Sequence, residues 1–392
     1  MQKTPVRLLL NVGHAIDHMF LLIFATAVTS IAAEFKLARW EDLMPYGAAA
    51  FFFFGIGSLP AGKLGDHWGR RPMMVLFFAG MGVAAILAGL AGSPWALAIA
   101  LALLGCFASI YHPVGIPMLV QGAARPGWTL GVNGLAGNLG IACAAVLTGF
   151  LVKYAGWRMA FIVPGVASLL CAVAFALLAP REAEAPARRK PAGGAGTGEA
   201  SMARLFLIMT IAATTGSLIF NFSTNSNYEL LGSRFEQITR DPARLGLLLA
   251  VVYTVASFTQ LLVGRLIDRY PLKPLYVSVV ALQVLLLALS VGLDGWAFFV
   301  VQLLFMASIF GSIPFTDAMI VRYVDDSMRS RVSGMRLAVS LGASSLAVWL
   351  IGPVVKQSGF TMLLAVMACI AAVTLVVVLN LPRHRAPDMQ PA

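Results

Sequence analysis

From residue 8 to residue 380 the chain repeats one pattern: about 20 apolar residues, a short polar connection, then another apolar run. A helix rises 1.5 Å per residue, so roughly 20 apolar residues cross the ~30 Å hydrocarbon core of a bilayer. Twelve such runs are predicted, near 8–32, 43–63, 73–91, 95–119, 129–152, 158–179, 204–228, 245–266, 274–293, 296–321, 333–355 and 360–380. Composition agrees: the 392 residues are 59% hydrophobic and 11% charged, where a soluble domain is nearer half apolar and a quarter charged. The expected class is an all-α membrane protein with twelve transmembrane helices.

The net charge of +11 resembles that of a nucleic-acid binder until its placement is considered. Lys and Arg outnumber acids at the N-terminus, at 62–73, at Arg125, at 180–204, at 264–273, at 322–336 and at the C-terminus. In the intervening connections the charges nearly cancel. That alternation is what the positive-inside rule produces. It predicts cytoplasmic termini, an inner-membrane location and no nucleic-acid partner. Lys3 and Arg7 ahead of an apolar run imitate a signal peptide, but His14, Asp17 and His18 interrupt that run and cleavage is not expected. Cys106, Cys143, Cys171 and Cys369 show no metal or disulfide spacing and are read as packing residues.

Residues 180–203, PREAEAPARRKPAGGAGTGEASMA, are rich in Pro, Ala, Gly and charge. They form an expected flexible cytoplasmic linker between an N-terminal half (1–179) and a C-terminal half (204–392). The halves repeat each other: GKLGDHWGRRP at 62–72 aligns with GRLIDRYPLKP at 264–274, and GFLVKYAGW at 149–157 with GPVVKQSGF at 352–360. Parallel halves of this kind are one way transporters build alternating access.

GKLGDHWGRR, with its degenerate second copy, resembles the signature loop of the major facilitator superfamily, and length, span count and linker extend the resemblance over the whole chain. The resemblance implies a secondary transporter that works as a monomer without a cofactor. It also implies a cytoplasmic latch at Asp66, Gly69, Arg70 and Asp268. GHAIDH at 13–18 and SIYHPVG at 109–115 are similar to the fosmidomycin-resistance-type branch, which implies drug or metabolite efflux by antiport. Two features depart from the superfamily pattern. His112–Pro113 stand near the place of the usual Arg of the fourth span, and GNLGIACAAVLTG at 137–149 matches the antiporter motif in part.

Ionisable groups inside spans are costly and mark function by default. They are His14, Asp17 and His18 in the first span, His112 in the fourth and Asp317 in the tenth. The seventh span carries the polar run NFSTNSNYE at 221–229, including Asn221 and Asn225, which is expected to bind substrate or to unwind near its outer end. In the resembled fold, spans one, four, seven and ten line the cavity. At about 100° per residue, positions 14, 17 and 18 share one helix face. Asp17 lies nine residues into its span, about 14 Å deep. Burial and neighbours tune carboxylates and imidazoles alike, so Asp17 with His18 is the expected proton-coupling pair. His14, His112, Asn221, Asn225 and Asp317 would shape the substrate site.

Other readings stay open at this level. His14, Asp17 and His18, with His112 and Asp317, also carry the right atoms for a transition metal or metal chelate as substrate. A non-transporting sensor or lipid-handling protein on the same scaffold is a third. An enzyme is not expected, since no nucleophile–base set or phosphate loop is present. Gly131, Gly134, Gly137 and Gly140 read as helix-packing positions.

Overall fold

The computed structural model describes residues 4–121, 126–180, 199–323 and 326–381, with side chains except at 126–127, 199–205, 317, 320–323, 326–337 and 341. The first half comprises α1 (Thr4–Glu34), a short turn (Trp40–Asp42), α2 (Met44–Trp68), α3 (Arg70–Gly89), α4 (Pro94–Ala108), a π-helical turn (Tyr111–Gly115), α5 (Ile116–Val120), α6 (Pro126–Ala155) and α7 (Trp157–Leu178). The second comprises α8 (Glu199–Arg234), α9 (Pro242–Arg269), α10 (Leu272–Ser290), α11 (Gly295–Tyr323) and α12 (Asp326–Leu379). Eleven helices among the described residues are long and apolar enough to cross a membrane. The last of them, Ala338–Leu379, has 42 residues, or about 63 Å at 1.5 Å per residue. That is twice one crossing, and Gly359 breaks it at φ 72, ψ 176. The fold therefore makes twelve crossings.

The repeat seen in the sequence recurs in the backbone. Gly156, which separates α6 from α7, has φ 85 and ψ 161. Gly359 holds the same conformation at the equivalent place in α12, where a Cβ would be strained. Basic caps repeat as well. Arg71 Nε donates to the Ala179 carbonyl at 2.9 Å, and Lys273 Nζ to the Leu381 carbonyl at 2.8 Å. Each charge settles on the unpaired carbonyls at the end of the last helix of its half.

Between apolar helices, lipid offers no hydrophobic incentive to associate, so close backbone approach has to supply the packing. A Cβ on Gly140 would meet the Ala15 carbonyl oxygen of α1 at 2.1 Å, and one on Gly105 the Ala50 carbonyl oxygen at 2.0 Å. Gly131 and Gly134 face open space, so only part of the glycine series on α6 packs. The same device joins the halves. Cβ atoms on Gly149 and Gly246 would each lie 2.5 Å from a carbonyl oxygen of the opposing helix. Of the four cysteines, Cys143 and Cys369 are exposed and Cys106 and Cys171 partly buried, so two of them do not pack inside.

Two boundaries differ from those read in the sequence. Residue 199 already opens α8, inside the expected 180–203 linker, while 181–198 lie outside the described residues. The run 221–229 does not unwind, and α8 continues to Arg234. Four of its polar side chains bond back onto their own helix. Ser223 and Thr224 donate to the Phe220 carbonyl at 3.0 and 2.7 Å, Asn225 to Asn221 at 3.2 Å and Ser226 to Phe222 at 2.6 Å. Satisfied internally, the run costs the helix little.

The described hydrogen bonds and ion pairs between the halves gather at the end of the bundle opposite the N-terminus. Thr29 Oγ1 donates to Glu229 Oε1 at 2.8 Å. Lys153 pairs with Asp241, and Lys356 with Asp42. Nearer the middle, Asn138 donates to Gln260.

Candidate functional site

Asp17 sits in the interior of α1 and is fully buried. Among the described residues, neither carboxylate oxygen has a hydrogen-bond donor. Its ion-pair partner is His112, whose Nε2 stands 3.6 Å from Asp17 Oδ2. His18, the partner expected from the sequence, instead places its Nε2 3.1 Å from His14 Nε2. A residue at i+1 on a helix is rotated by about 100° from its neighbour, so Asp17 and His18 reach different partners.

His112 reaches α1 from the π-helical turn Tyr111–Gly115. Pro113 has no N–H to give to a regular helix, and the widened turn delivers two successive side chains to the same neighbour. Tyr111 stacks on the His14 ring with centroids 4.8 Å apart, and His112 meets that ring edge-on at 5.2 Å. Phe54 of α2 closes the outer side of His112, centroid to centroid 5.9 Å. Phe51 and Phe54 face inward from α2 while Phe52 and Phe53 are exposed.

α6 fixes the third wall. His14 Nδ1 donates to the Asn133 carbonyl at 2.7 Å. Asn133 Nδ2 reaches Asn11 Oδ1 at 2.9 Å and the Tyr111 hydroxyl at 2.7 Å, and that hydroxyl donates to the Leu10 carbonyl at 2.8 Å. Gly137 leaves room for the imidazole, since a Cβ there would lie 2.7 Å from the His14 ring. With its proton committed at Nδ1, neutral His14 presents a bare Nε2 to His18. The ligand atoms of His14, His18 and His112 all lie within 4.8 Å of one another. His14 is buried, whereas His18 and His112 are partly exposed.

The polar run of α8 forms a separate cluster in the other half. Asn221 Nδ2 donates to Ser344 Oγ at 2.7 Å. Asn227 Nδ2 approaches the Tyr253 hydroxyl at 3.3 Å, and Gln302 Nε2 approaches Asn227 Oδ1 at 3.3 Å. Asn225 is buried within α8. The structure thus brings His14, Asp17, His18 and His112 together and leaves Asn221 and Asn225 in the second cluster. Asp317 lies on α11, and its side chain is outside the described residues. Asp66 and Asp268 are exposed, Gly69 has φ 97, and Arg70 Nη1 donates to Gln121 Oε1 at 3.1 Å inside its own half.

Sequence reasoning missed Tyr111, Asn133, Tyr253 and Gln302. Asn133 and Gln302 were legible as polar residues well inside predicted spans. Glu229, the last residue of the polar run read on the seventh span, is helical and bonded to Thr29 across the halves, a contact that sequence reasoning did not foresee.

Comparison with known proteins agrees with this architecture. The Major Facilitator Superfamily model matches residues 10–239 and 205–392, which together take in nearly all of the chain. The chain belongs to the Major Facilitator Superfamily. Among curated relatives, multidrug resistance protein MdtG of Escherichia fergusonii is 23% identical over 367 residues, covering 92% of this chain and 88% of the relative. MdtG of Enterobacter lignolyticus is 25% identical over 308 residues, covering 77% and 72%. Among solved structures, an inward-facing, occupied bacterial homologue of the human lysosomal transporter Spinster aligns with TM-score 0.77 at 13% identity, covering 95% of each chain. A D-xylose–proton symporter aligns with TM-score 0.77 at 14% identity, covering 97% of this chain and 98% of the other. At such identities the solved structures establish the fold alone. This superfamily member is a multi-pass inner-membrane transporter and not an enzyme.

Proposed function

We propose that the chain moves a small organic solute by proton-coupled alternating access, with Asp17 and His112 holding the coupled proton. The observation that carries this reading is Asp17 itself, a carboxylate with no exposed surface and, among the described residues, no hydrogen-bond donor and one imidazole at 3.6 Å. A charge so placed costs several kcal/mol unless a proton or a counter-charge balances it. Asp17 is therefore stable either as the acid or opposite an imidazolium, and those two states differ in where one proton rests. His112 is itself partly exposed, so the pair is reachable from the open side of the cluster, where His18 stands 3.1 Å from His14.

Efflux of an amphipathic compound by antiport is the favoured direction. It is supported by the multidrug resistance relatives and by the likeness of GHAIDH and SIYHPVG to the fosmidomycin-resistance-type branch. With the positive-inside orientation, the end closed by Thr29–Glu229, Lys153–Asp241 and Asp42–Lys356 faces outward, and the site opens to the cytoplasm. Asp66, Gly69, Arg70 and Asp268 then form the latch that closes the cytoplasmic end in the other state.

A thermal-shift panel of lipophilic cations, organic acids and phosphonates selects a ligand, and proteoliposomes under a pH gradient test its movement. Asp17→Asn should retain ligand-induced stabilisation and lose gradient-driven flux. Wild-type coupling in Asp17→Asn would remove the assignment.

A further inference from the structure

We infer that His14, His18 and His112 form a binding site for a single divalent transition ion of the Zn2+ or Co2+ class, with Asp17 supplying the fourth, anionic ligand. The inference shares residues with the proposed coupling site but does not depend on coupling. It stands on four features of the geometry.

The first is spacing. Two ligands at ~2.05 Å on a tetrahedral ion lie roughly 3.3 Å apart. His14 Nε2 and His18 Nε2 are separated by 3.1 Å, and Asp17 Oδ2 and His112 Nε2 by 3.6 Å. The three imidazole ligand atoms already converge within 4.8 Å, and the Asp17 carboxylate borders them through His112. The i, i+4 relation of His14 and His18 keeps both rings on one face of α1.

The second feature is the surrounding of the ligands. A metal-binding histidine commonly gives its other ring N–H to a carbonyl or carboxylate, which sets the tautomer and raises ligand basicity. His14 does this through Nδ1 to the Asn133 carbonyl at 2.7 Å, and Tyr111 stacks on the ring to hold its plane. The third is the donor balance. Asp17 has two buried oxygens without a hydrogen-bond donor among the described residues. A cation would fill that deficit without rearranging the fold. The fourth is access, because His18 and His112 are partly exposed while His14 and Asp17 are buried behind them.

Imidazole nitrogens with one carboxylate suit Zn2+ or Co2+ rather than Mg2+ or Ca2+, which prefer oxygen ligands. The chain has five histidines, so a background carrying His67→Gln and His384→Gln retains only the three in question. Detergent-purified protein in that background is titrated with ZnCl2 by calorimetry and with CoCl2 by visible absorption. One ion per chain is expected, with the intense d–d bands of tetrahedral cobalt. His18→Gln and His112→Gln should each weaken binding at least about tenfold, and Asp17→Asn by a similar factor. Melting temperature and size-exclusion profile confirm that each variant is folded. His18→Gln and His112→Gln alter partly exposed positions, so at least one should pass that check.

Absence of saturable binding would overturn the inference. So would octahedral cobalt spectra, or unchanged affinity in both histidine variants. Failure here with gradient-driven flux intact leaves proton coupling standing. Intact metal binding with wild-type coupling in Asp17→Asn removes the coupling and retains the metal site.

Discussion

His112 Nε2 lies 3.6 Å from Asp17 Oδ2, bringing the π-helical turn Tyr111–Gly115 against α1. His18 is adjacent to Asp17 in sequence yet faces His14. The two histidines should therefore differ in transport. His112→Gln is expected to lower pH-gradient-driven flux about tenfold or more, equivalent to ~1.4 kcal/mol on the limiting step. His18→Gln is expected to have a smaller effect. Comparison of initial flux rates at equal reconstituted protein settles the order, and a larger loss in His18→Gln would reassign the partner.

The glycine series on α6 offers a control within one helix. A Cβ at Gly140 would sit 2.1 Å from the Ala15 backbone oxygen, which cannot rotate away, whereas one at Gly134 meets nothing within 4 Å. Gly140→Ala should destabilise by about 1–3 kcal/mol through overpacking. Gly134→Ala should be neutral or stabilising by up to ~1 kcal/mol, since alanine favours helix over glycine. Melting in detergent reads both, and equal effects would mean that α1 and α6 do not approach as closely as described.

Much of this was legible in the sequence, and the losses have identifiable causes. Apolar run length alone gives the twelve crossings, because the bilayer sets helix length. The repeated ends YAGW at 154–157 and QSGF at 357–360 were visible as letters, and Gly156 and Gly359 within them share a backbone conformation. His14, Asp17, His18 and His112 were identified because charged groups are rare in such spans. Their pairing was not legible, since helical periodicity places residues on a face without naming what stands opposite. It depended on the π-helical turn at Tyr111–Gly115, a backbone detail for which Pro113 was the only written sign. That the polar run of α8 stays helical was not legible for a related reason. Hydropathy cannot tell a hydroxyl that bonds its own helix, as Thr224 does to Phe220, from one that faces a ligand.

At the closed end, Lys153 and Asp241 join α6 to the start of α9. The Lys153 ammonium beside Asp241 holds its carboxyl below the usual carboxylate range. A carboxylate depressed in this way contributes stability that is fully present above its unfolded value of ~3.9 and lost as pH falls through the folded value. The closed end should accordingly loosen only under strong acid, and the effect should shrink with salt because the pair is solvent-exposed. Asp241 also caps α9, accepting from the Ala243 and Arg244 amides at 2.9 and 3.2 Å. Asparagine caps helices about as well, so Asp241→Asn removes the ion pair and spares the cap. It should increase thiol labelling of a cysteine placed at Thr29 with little change in melting temperature. Unchanged labelling would mean the pair does not hold this end shut.

Thr29 and Glu229 test alternating access most directly. They stand on α1 and α8, in different halves, and their side chains meet at 2.8 Å. Binding or releasing solute at that end requires the two helices to part, whatever the substrate or coupling ion. A Thr29→Cys, Glu229→Cys pair, in a background with the four native cysteines changed to serine, should cross-link under mild oxidation. Cross-linking should abolish turnover by an order of magnitude or more, and reduction should restore it. Ligand binding at the site around Asp17 should survive the cross-link, because the bond closes the end opposite the N-terminus without reaching the cluster of His14, His18 and His112. A cross-linked protein that transports at the reduced rate would show that the halves need not separate at this contact.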